Sequence, residues 1–348
     1  MNQYAAMILA AGAAMGVTAL LGYVMIPWLH KVRFGQIILD IGPSWHKHKQ
    51  GTPTMGGIMF IAGSLLAVIA VLATDALMGG QLLASMGLYD QGFATKILAG
   101  LLMASMFGFM GFLDDYTKVV KKRNKGLSIS QKTVMQTLIS AGYLWSLWLA
   151  MGKQPYTLVP FVGQVRLGWF FWIFGYVVIY ATVNAVNFTD GVDGLNAGVT
   201  VVTGAGLAAF ACMRGLFGAG VLSAAMVGGC AGFLVWNRNP AKVIMGDTGA
   251  LFLGGLVLAI CFALDCPVIL LLMGLIYVIE GFSDVLQIGY FKLTKGKRIF
   301  RMAPIHHHFE MLGWKEKKIG WVFSLVNLAG VALGIVVVYF GLRGFLAF

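Results

Sequence analysis

Long apolar runs recur along the whole of this 348-residue chain, and they decide what it can fold into. Each run approaches the roughly 20 residues that an α-helix needs to cross a bilayer. Hydrophobic residues make up 59% of the chain and charged residues 11%, against about 25% charged in a typical soluble domain. The alternating segments of a membrane β-barrel are not visible. The sequence therefore predicts an all-α polytopic membrane protein.

We predict ten transmembrane helices from the lengths of the apolar runs. They fall at about residues 5–28, 55–74, 94–113, 132–151, 168–186, 197–213, 217–235, 249–264, 267–290 and 320–342. The first run begins near Met1 without a preceding basic region, so it is interpreted as a retained span rather than a signal peptide. No internal repeat or linker is visible, and one integral membrane domain covering residues 1–348 is the simplest partition.

The ten spans divide the connecting segments into two sets, and the basic residues concentrate in one of them. Twenty of the 25 Lys and Arg residues lie in or beside the loops 29–54, 114–131, 187–196, 236–248 and 291–319. The other five are Lys96, Lys153, Arg166, Arg214 and Arg343. The positive-inside rule then places the basic loops in the cytoplasm and both termini in the periplasm. Topology explains much of this charge, which also attracts anionic lipid headgroups and anionic soluble substrates.

The stretch 183–198 is unusually polar for a segment between two apolar runs. It contains three asparagines, two carboxylates and three glycines. Asn187, Asp190 and Asp193 are spaced three apart, so a helical turn would place them on one face. Oxygen-rich and glycine-rich loops suit a hard cation or a hydroxyl-rich ligand. The alternative is a solvated turn with helix-capping Asn and Asp.

Adjacent carboxylates, Asp114 and Asp115, are predicted to follow the third span, in the same set of loops. Two neighbouring carboxylates repel each other unless a cation or lysines neutralise them. Magnesium held by few carboxylates and by substrate phosphates would do so. The alternative is a charged helix end balanced by the lysines from Lys118 to Lys125, although negative charge there opposes the helix dipole.

Two further loops in this set carry candidate phosphate-binding residues. Asp247 lies between glycines at a predicted helix start, ten residues after Asn237. This loop resembles one that faces a nucleotide or phosphate, and a simple helix cap at Asp247 is the alternative. Lys49 precedes a Gly-Thr-Pro turn that ends at Thr54, and its ammonium group could hold a phosphate. A solvated loop that only sets topology is the alternative for that segment.

Three consecutive histidines, His306, His307 and His308, are predicted to lie in a loop close to Glu310. Adjacent side chains in a loop point in different directions, so a shared zinc ion is not favoured. Hydrogen bonding to phosphate, or proton handling near neutral pH, suits them better. The alternative is a histidine tract without a role.

Taken together, these stretches resemble the polyprenyl-phosphate N-acetylhexosamine-1-phosphate transferase superfamily and, within it, the phospho-N-acetylmuramoyl-pentapeptide transferases. The resemblance covers essentially the whole chain. Its motifs are residues 49–57, 114–115, 187–195, 245–247 and 304–310. The last motif is the most specific, because relatives that use other sugars vary that loop. Phe188 and Asn196 are small departures from the expected pattern.

The resemblance implies a reaction, a cofactor and a set of site residues. Phospho-MurNAc-pentapeptide would pass from UDP-MurNAc-pentapeptide to undecaprenyl phosphate, giving lipid I and UMP in peptidoglycan synthesis, with Mg²⁺ required. Asp247 would bind the metal, and Asp114, Asp115 and His306 would lie with it at the reacting centre. The expected substrate-binding residues are Lys49, Thr54, Lys118, Lys125, Lys132, Asn187, Asp190, Asp193, Asn237, His307 and His308.

The resemblance also implies an enzyme of the bacterial cytoplasmic (inner) membrane, in contact with membrane lipids and forming a homodimer. No nucleic-acid partner is expected. The ninth helix of this family is broken, and Gly281 beside Glu280 is the break we predict here. A second reading within the same superfamily is a transferase that uses UDP-GlcNAc. A secondary transporter is a more distant alternative, because its binding residues should lie at mid-bilayer on repeated, interrupted helices.

Phosphoryl transfer depends on positioning and charge neutralisation more than on covalent chemistry. A phosphate monoester has its second pKa near ~6 and is largely dianionic at pH 7. We therefore favour direct attack by the lipid phosphate, with Asp114 and Asp115 orienting it or assisting its last deprotonation. A covalent aspartyl intermediate is the less favoured mechanism.

Overall fold

The computed structural model of this protein describes residues 2–32, 49–79, 91–120 and 126–347. Within these residues the fold is mostly helical. The helices are α1 (Gln3–Lys31), α2 (Gly57–Leu77), α3 (Gln91–Val120), α4 (Ile129–Ala150), α5 (Phe170–Phe188), α6 (Leu195–Arg214), α7 (Phe217–Asn237), α8 (Gly246–Ala263), α9 (Leu270–Met273), α10 (Leu275–Leu293), α11 (Ile305–Met311) and α12 (Glu316–Gly341). Short 3₁₀ turns occupy Pro267–Ile269 and Arg343–Phe345.

Most of the long helices are apolar enough to cross a membrane. Among the described residues, eight helices meet the requirements of length and composition, and a ninth span is formed if the bent pair around α9 and α10 is counted as one. The span predicted at 132–151 coincides with α4, whose length fits but whose composition is more polar because it includes Gln131, Lys132 and Gln136. The chain is therefore a polytopic helical membrane protein, as the sequence predicted.

One element was not predicted. The loop between α4 and α5 contains a β-hairpin, formed by β1 (Tyr156–Val159) and β2 (Gly163–Arg166). The strands are antiparallel, with Tyr156 opposite Arg166. Each strand has four residues, which is too short for an alternating pattern to be recognised in so apolar a sequence.

Helix α8 lies at the centre of the bundle, and 89% of its 18 residues are buried. Helix α3 packs closely against it because Gly111 lacks a side chain, and a Cβ atom there would lie 2.2 Å from the carbonyl oxygen of Asp247. Small residues allow helix backbones to approach in this way. Helix α3 also continues beyond its predicted end to Val120, so Asp114 and Asp115 lie inside a helix rather than after it.

The ninth span is broken at Gly274, where the two halves meet at 90°. The predicted break at Gly281 is wrong. Gly281 lies inside α10, and a Cβ atom there would lie 2.9 Å from the Cβ atom of Ala185. Gly281 is therefore a packing residue that lets α10 approach α5. Both positions are glycines in apolar sequence, so composition alone did not distinguish a break from a close contact.

The side chain of Asn327 in α12 binds the backbone groups that the break at Gly274 releases. Its Oδ1 atom accepts a hydrogen bond from Ile276 N at 3.2 Å, and its Nδ2 atom donates to Met273 O at 3.3 Å. The hydroxyl group of Thr203 also donates to Met273 O, at 2.9 Å. Interrupted helices are tolerated within membranes when neighbouring side chains satisfy the backbone in this manner.

Four helices bring predicted site residues to the same end of the bundle. Asp114 lies near the end of α3, and Lys132 lies at the start of α4. Asn187 lies at the end of α5, and Asp247 lies at the start of α8. The polar segments that are distant in sequence therefore meet at one membrane face.

Candidate active site

Three carboxylates from two helices form one cluster, which we call the carboxylate triad. Asp114 and Asp115 come from α3, and Asp247 comes from the first turn of α8. Each offers an oxygen atom, and these atoms all lie within 4.8 Å of one another. Asp114 is 1% exposed and Asp115 is 3% exposed. Carboxylates this close and this buried repel one another unless cations neutralise them.

Asp115 acts as the cap of α8. Its Oδ2 atom accepts hydrogen bonds from Thr248 N at 3.0 Å and from Thr248 Oγ1 at 2.7 Å, and its Oδ1 atom accepts from Asp247 N at 3.3 Å. A carboxylate at a helix N-terminus satisfies free N–H groups and interacts favourably with the helix dipole. The capping role considered for Asp247 therefore belongs to Asp115, and the carboxylate of Asp247 is left for other interactions.

Two lysines neutralise most of the charge of the triad. The Nζ atom of Lys118 lies 2.6 Å from Asp114 Oδ2 and 3.3 Å from Asp247 Oδ2. The Nζ atom of Lys132 lies 3.0 Å from Asp247 Oδ2 and 3.1 Å from Asp114 Oδ1. Both lysine side chains are about one-third exposed, at 35% and 33%. They are therefore accessible to an incoming anion while they balance the triad.

Asn187 and Asp190 extend the triad toward the next loop. The Nδ2 atom of Asn187 donates to Asp247 Oδ1 at 3.1 Å. Asp190 follows in the turn after α5, and its carboxyl pKa is raised well above the usual value. Burial is the main cause, and the negative charges of Asp247 and Asp115 add to it. Asp190 is therefore held in an environment that disfavours its charged form.

A second charged cluster, which we call the Lys49 cluster, lies beside this turn. The Nζ atom of Lys49 lies 2.7 Å from Asp193 Oδ1 and 2.6 Å from Glu316 Oε2. Burial opposes the charged form of Lys49, but the two carboxylates outweigh it and raise its pKa above the usual value. Asp193 Oδ2 also accepts from Asn239 Nδ2 at 3.2 Å. Lys49 thus stays charged and is held by protein carboxylates.

The expected single face for Asn187, Asp190 and Asp193 is not observed. Helix α5 ends at Phe188, and the chain turns before α6 begins. Asn187 consequently faces the carboxylate triad, whereas Asp193 faces the Lys49 cluster. Three residues spaced three apart share a face only while the helix continues.

Asn237 and Thr54 each lie against a backbone segment that carries one of the two clusters. Asn237 Oδ1 accepts from Gly194 N at 3.1 Å, which fixes the turn that follows Asp193. The segment that carries Thr54 runs beside the start of α8. Gly246 adopts a φ of 74° there, and a Cβ atom on it would lie 2.8 Å from Thr54 Oγ1. The hydroxyl group of Thr54 therefore lies next to the first turn of α8.

The three histidines lie in a short helix, α11, and not in a loop as predicted. His306 is fully buried, and its Nδ1 atom lies 3.0 Å from Oε2 of Glu280, which is also fully buried. A Cβ atom on Gly191 would lie 2.1 Å from the other ring nitrogen, Nε2. The rings of His306 and His307 pack against each other with centroids 4.1 Å apart, and Nε2 of His306 points toward the turn that contains Gly191.

The other two histidines make contacts near their own helix. The Nδ1 atom of His307 lies 2.6 Å from Glu310 Oε2. His308 Nδ1 accepts from Arg301 N at 3.1 Å, and its ring packs edge-on against Phe300. His308 thereby supports the segment that leads into α11.

The structure brings most of the predicted site residues to one region. The carboxylate triad, Lys118, Lys132 and Asn187 form one group, and the Lys49 cluster, with Asn237, forms its neighbour. Lys125 lies outside the described residues. Sequence reasoning did not assign Glu280 or Glu316 to the site. Glu280 gave a signal, since carboxylates within apolar helices are costly, but Glu316 lies among lysines and gave none.

Comparison with known proteins agrees with this geometry. The model of Glycosyl transferase family 4 matches residues 97–265, and the phospho-N-acetylmuramoyl-pentapeptide-transferase signature 1 matches residues 49–61. These two segments contain the carboxylate triad, Lys49 and Thr54.

Proteins named phospho-N-acetylmuramoyl-pentapeptide-transferase are similar to the chain over most of their length. The one from Listeria welshimeri is 43% identical over 90% of this chain and 93% of its own. The one from Desulforudis audaxviator is 41% identical over 97% of this chain and 98% of its own. The one from Acetivibrio thermocellus is 42% identical over 93% of this chain and 92% of its own. The chain belongs to the phospho-N-acetylmuramoyl-pentapeptide-transferase family.

Proposed function

We propose that this protein transfers phospho-MurNAc-pentapeptide from UDP-MurNAc-pentapeptide to undecaprenyl phosphate, which yields lipid I and UMP. The observation that carries the proposal is the carboxylate triad, flanked by two lysines at one membrane face, in a chain of this family. Such a position lets a water-soluble nucleotide and a membrane-embedded phosphate reach the same residues. Membership of the family supports the identity of the two substrates.

The residues of the triad fit a magnesium ion. Magnesium prefers oxygen ligands and uses one or two carboxylates together with substrate phosphates. Asp247 is the ligand we propose, with Asp114 and Asp115 close enough to share the ion. When bound, magnesium would neutralise the diphosphate oxygens and stabilise the departing UMP. Asp115 is held by its capping bonds and Asp114 is 1% exposed, which leaves Asp247, with a 19% exposed side chain, as the most accessible member.

Lys118 and Lys132 are the groups we propose for the phosphates. Two anionic substrates repel each other, and phosphoryl transfer requires both to be held close and in line. Lys118 lies within 4 Å of all three members of the triad and Lys132 within 4 Å of two, so each ammonium group can remain near the carboxylates while it turns to a phosphate oxygen. Attack by the dianionic lipid phosphate requires no covalent enzyme intermediate, which supports the single-step route.

The Lys49 cluster and Asn237 are the groups we propose for the nucleotide and sugar. They form a polar region beside the triad, joined to it by the turn that contains Asp190. The carboxylates and amides there can accept and donate hydrogen bonds to hydroxyl-rich ligands. His306 lies against this turn, and His307 and His308 complete the histidine motif.

We further propose that the protein resides in the bacterial cytoplasmic membrane as a homodimer, with both termini outside. The basic loops support the orientation, and the family supports the compartment and the dimer. The alternative donor, UDP-GlcNAc, has no observation in its favour beyond the shared superfamily.

A release assay tests the proposal. The purified protein receives a polyprenyl phosphate and either UDP-MurNAc-pentapeptide or UDP-GlcNAc, with magnesium or with a chelator, and UMP is measured. We expect UMP only with the first donor and only with magnesium. UMP released from UDP-GlcNAc, or release that survives chelation, would contradict the substrate or the metal assignment respectively.

A further inference from the structure

A polar cavity lies at the opposite end of the bundle from the carboxylate triad. Its volume is about 340 Å³. The residues that line it are Gly92, Phe93, Lys96, Ala150, Met151, Tyr156, Arg214, Leu216 and Asp265. None of these residues belongs to the proposed active site.

The helix directions place this cavity on the other membrane face. Asp247 begins α8, and Asp265 follows the end of the same helix. Eighteen residues of helix span about 27 Å, close to the thickness of the hydrocarbon core. Helix α3 shows the same relationship in the opposite direction, because Lys96 lies near its start and Asp114 near its end.

The charged groups that line this cavity are mostly buried, and their charges do not sum to zero. Lys96 is 7% exposed and Asp265 is 6% exposed, while the Arg214 side chain is 12% exposed. Among the described lining residues these give two positive charges and one negative charge. The face opposite to the basic loops carries few cations, so two of them in one cavity is not explained by topology.

Asp265 accepts some of the hydrogen bonds that these cations can donate. Lys96 Nζ donates to Asp265 Oδ1, and Tyr156 Oη donates to Asp265 Oδ2 at 3.2 Å. Arg214 donates from Nη1 to Leu264 O at 3.1 Å, but its Nη2 atom is 3.9 Å from Asp265 Oδ2, beyond hydrogen-bond distance. A guanidinium group has five N–H donors and matches phosphate geometry. Within the described part of the chain, Arg214 therefore keeps donors for an additional anion.

The surroundings of the cavity match the headgroup level of a membrane. Phe93, Met151 and Leu216 are the large apolar residues of the cavity wall. At nearly the same depth as Ala150, on another face of α4, the ring of Trp148 packs against Trp145 and Trp172, with centroids 5.1 Å and 6.3 Å away. Tryptophan is enriched where the hydrocarbon core meets water. A ligand with both a phosphate and acyl chains suits this boundary better than a free ion.

We propose that this cavity binds the phosphate headgroup of an anionic phospholipid on the membrane face opposite to the active site. Arg214 and Lys96 hold the phosphate, and the apolar wall contacts the first part of the acyl chains. The excess positive charge favours a headgroup with net negative charge over a zwitterionic one. This lipid site does not depend on the identity of the transferase substrates.

Native mass spectrometry of the purified full-length protein tests this inference. Delipidated protein is titrated with phosphatidylglycerol or phosphatidylcholine. The wild type should retain one phosphatidylglycerol that Arg214→Gln binds at least about tenfold more weakly, a loss of 1.4 kcal/mol or more. Arg214→Lys should keep part of the affinity. Ala150→Phe, which fills the cavity and changes no charge, should also weaken retention.

Matched controls separate this site from general attraction to a basic protein. Arg343→Gln removes an exposed cation on the same face that does not line the cavity, and Lys317→Gln removes one on the opposite face. Both should retain the lipid like the wild type. Equal loss in the controls, or full retention by Arg214→Gln and Ala150→Phe, would overturn the proposal.

Competition with inorganic phosphate shows whether the cavity binds a lipid phosphate or a free phosphate. Inorganic phosphate at millimolar concentration is added to protein that retains phosphatidylglycerol. The lipid should remain bound, because acyl contacts add to its affinity. Displacement of the lipid by phosphate would contradict the lipid assignment.

Discussion

The Nδ1 atom of His306 lies 3.0 Å from Oε2 of Glu280, and both side chains are fully buried. An ionised carboxylate only accepts hydrogen bonds, so Nδ1 would carry the proton in a pair with ionised Glu280. In a neutral imidazole the other nitrogen, Nε2, is then an acceptor, and it points at the turn that contains Gly191. Glu280 thereby sets both the orientation and the tautomer of His306.

Replacement of Glu280 should therefore impair transfer without removing a group that touches substrate. We expect Glu280→Ala to lower kcat about 10-fold to 100-fold, by analogy with the loss of hydrogen-bond partners of metal-binding histidines. Glu280→Gln keeps an accepting oxygen and should retain more activity. UMP release and the melting temperature are measured together, and an equal loss in both variants would contradict an orienting role.

Gly191 should tolerate no side chain. A Cβ atom there would lie 2.1 Å from His306 Nε2, a distance that forces either the ring or the turn to move. We expect Gly191→Ala to reduce the rate of UMP release strongly. Gly142 is the control, because a Cβ atom there meets no other atom within 4 Å. If Gly191→Ala were as active as Gly142→Ala, the observed position of His306 would be wrong.

The carboxylate of Asp190 should lower the free energy of unfolding at neutral pH. Its pKa is raised by burial from an ordinary value of 3.8, so the folded state binds the proton more tightly than the unfolded state. Stability is then lost as pH rises above the unfolded value and levels off above the raised folded value. We expect Asp190→Asn to raise the melting temperature at pH 7 to 8, and the gain to shrink toward pH 4.

The activity of Asp190→Asn provides the second half of that test. A carboxylate kept at a cost in stability is characteristic of functional sites. The variant should be more stable at pH 7 and should release UMP more slowly. A variant that is less stable than the wild type across this pH range would contradict the environment described for Asp190.

Asn327 should be important for the break in the ninth span. Its amide binds Ile276 N and Met273 O, which the break leaves without helical partners. A buried backbone group left unsatisfied costs about 1–3 kcal/mol. We expect Asn327→Leu to lower thermal stability in detergent by that order, and Thr203→Val to have a smaller effect. An unchanged melting temperature for Asn327→Leu would show that the break is satisfied by other groups.

Sequence reasoning located the site because carboxylates and lysines are rare in this chain and the apolar runs fix which loops share a face. The apolar runs predicted a shared membrane face for Asp114, Asp115 and Asp247, and the family resemblance implied that they belong to one reacting centre. The pairing of Glu280 with His306 could not be predicted, because it depends on how α10 tilts after the break at Gly274. That break was placed wrongly because a glycine in an apolar run indicates a close helix contact as readily as a bend.

Other details depended on where helices end. The run of residues from Asn187 to Asp193 reads as a single face only if α5 continues, and the helix instead ends at Phe188. Lys49 was expected to meet phosphate directly. Its pairing with Asp193 and Glu316 brings together segments more than 100 residues apart, for which the sequence carries no local pattern.

The most direct test of the account is UMP release by Asp247→Asn across a magnesium titration. Asparagine preserves the size of the side chain but removes the charge that pairs with Lys118 and Lys132 and that we propose to hold the metal. We expect release to fall at least about 100-fold, the scale of losing one electrostatic group at a reacting centre, and the residual rate to respond weakly to magnesium. Wild-type activity with unchanged magnesium dependence would contradict the proposed role of the carboxylate triad.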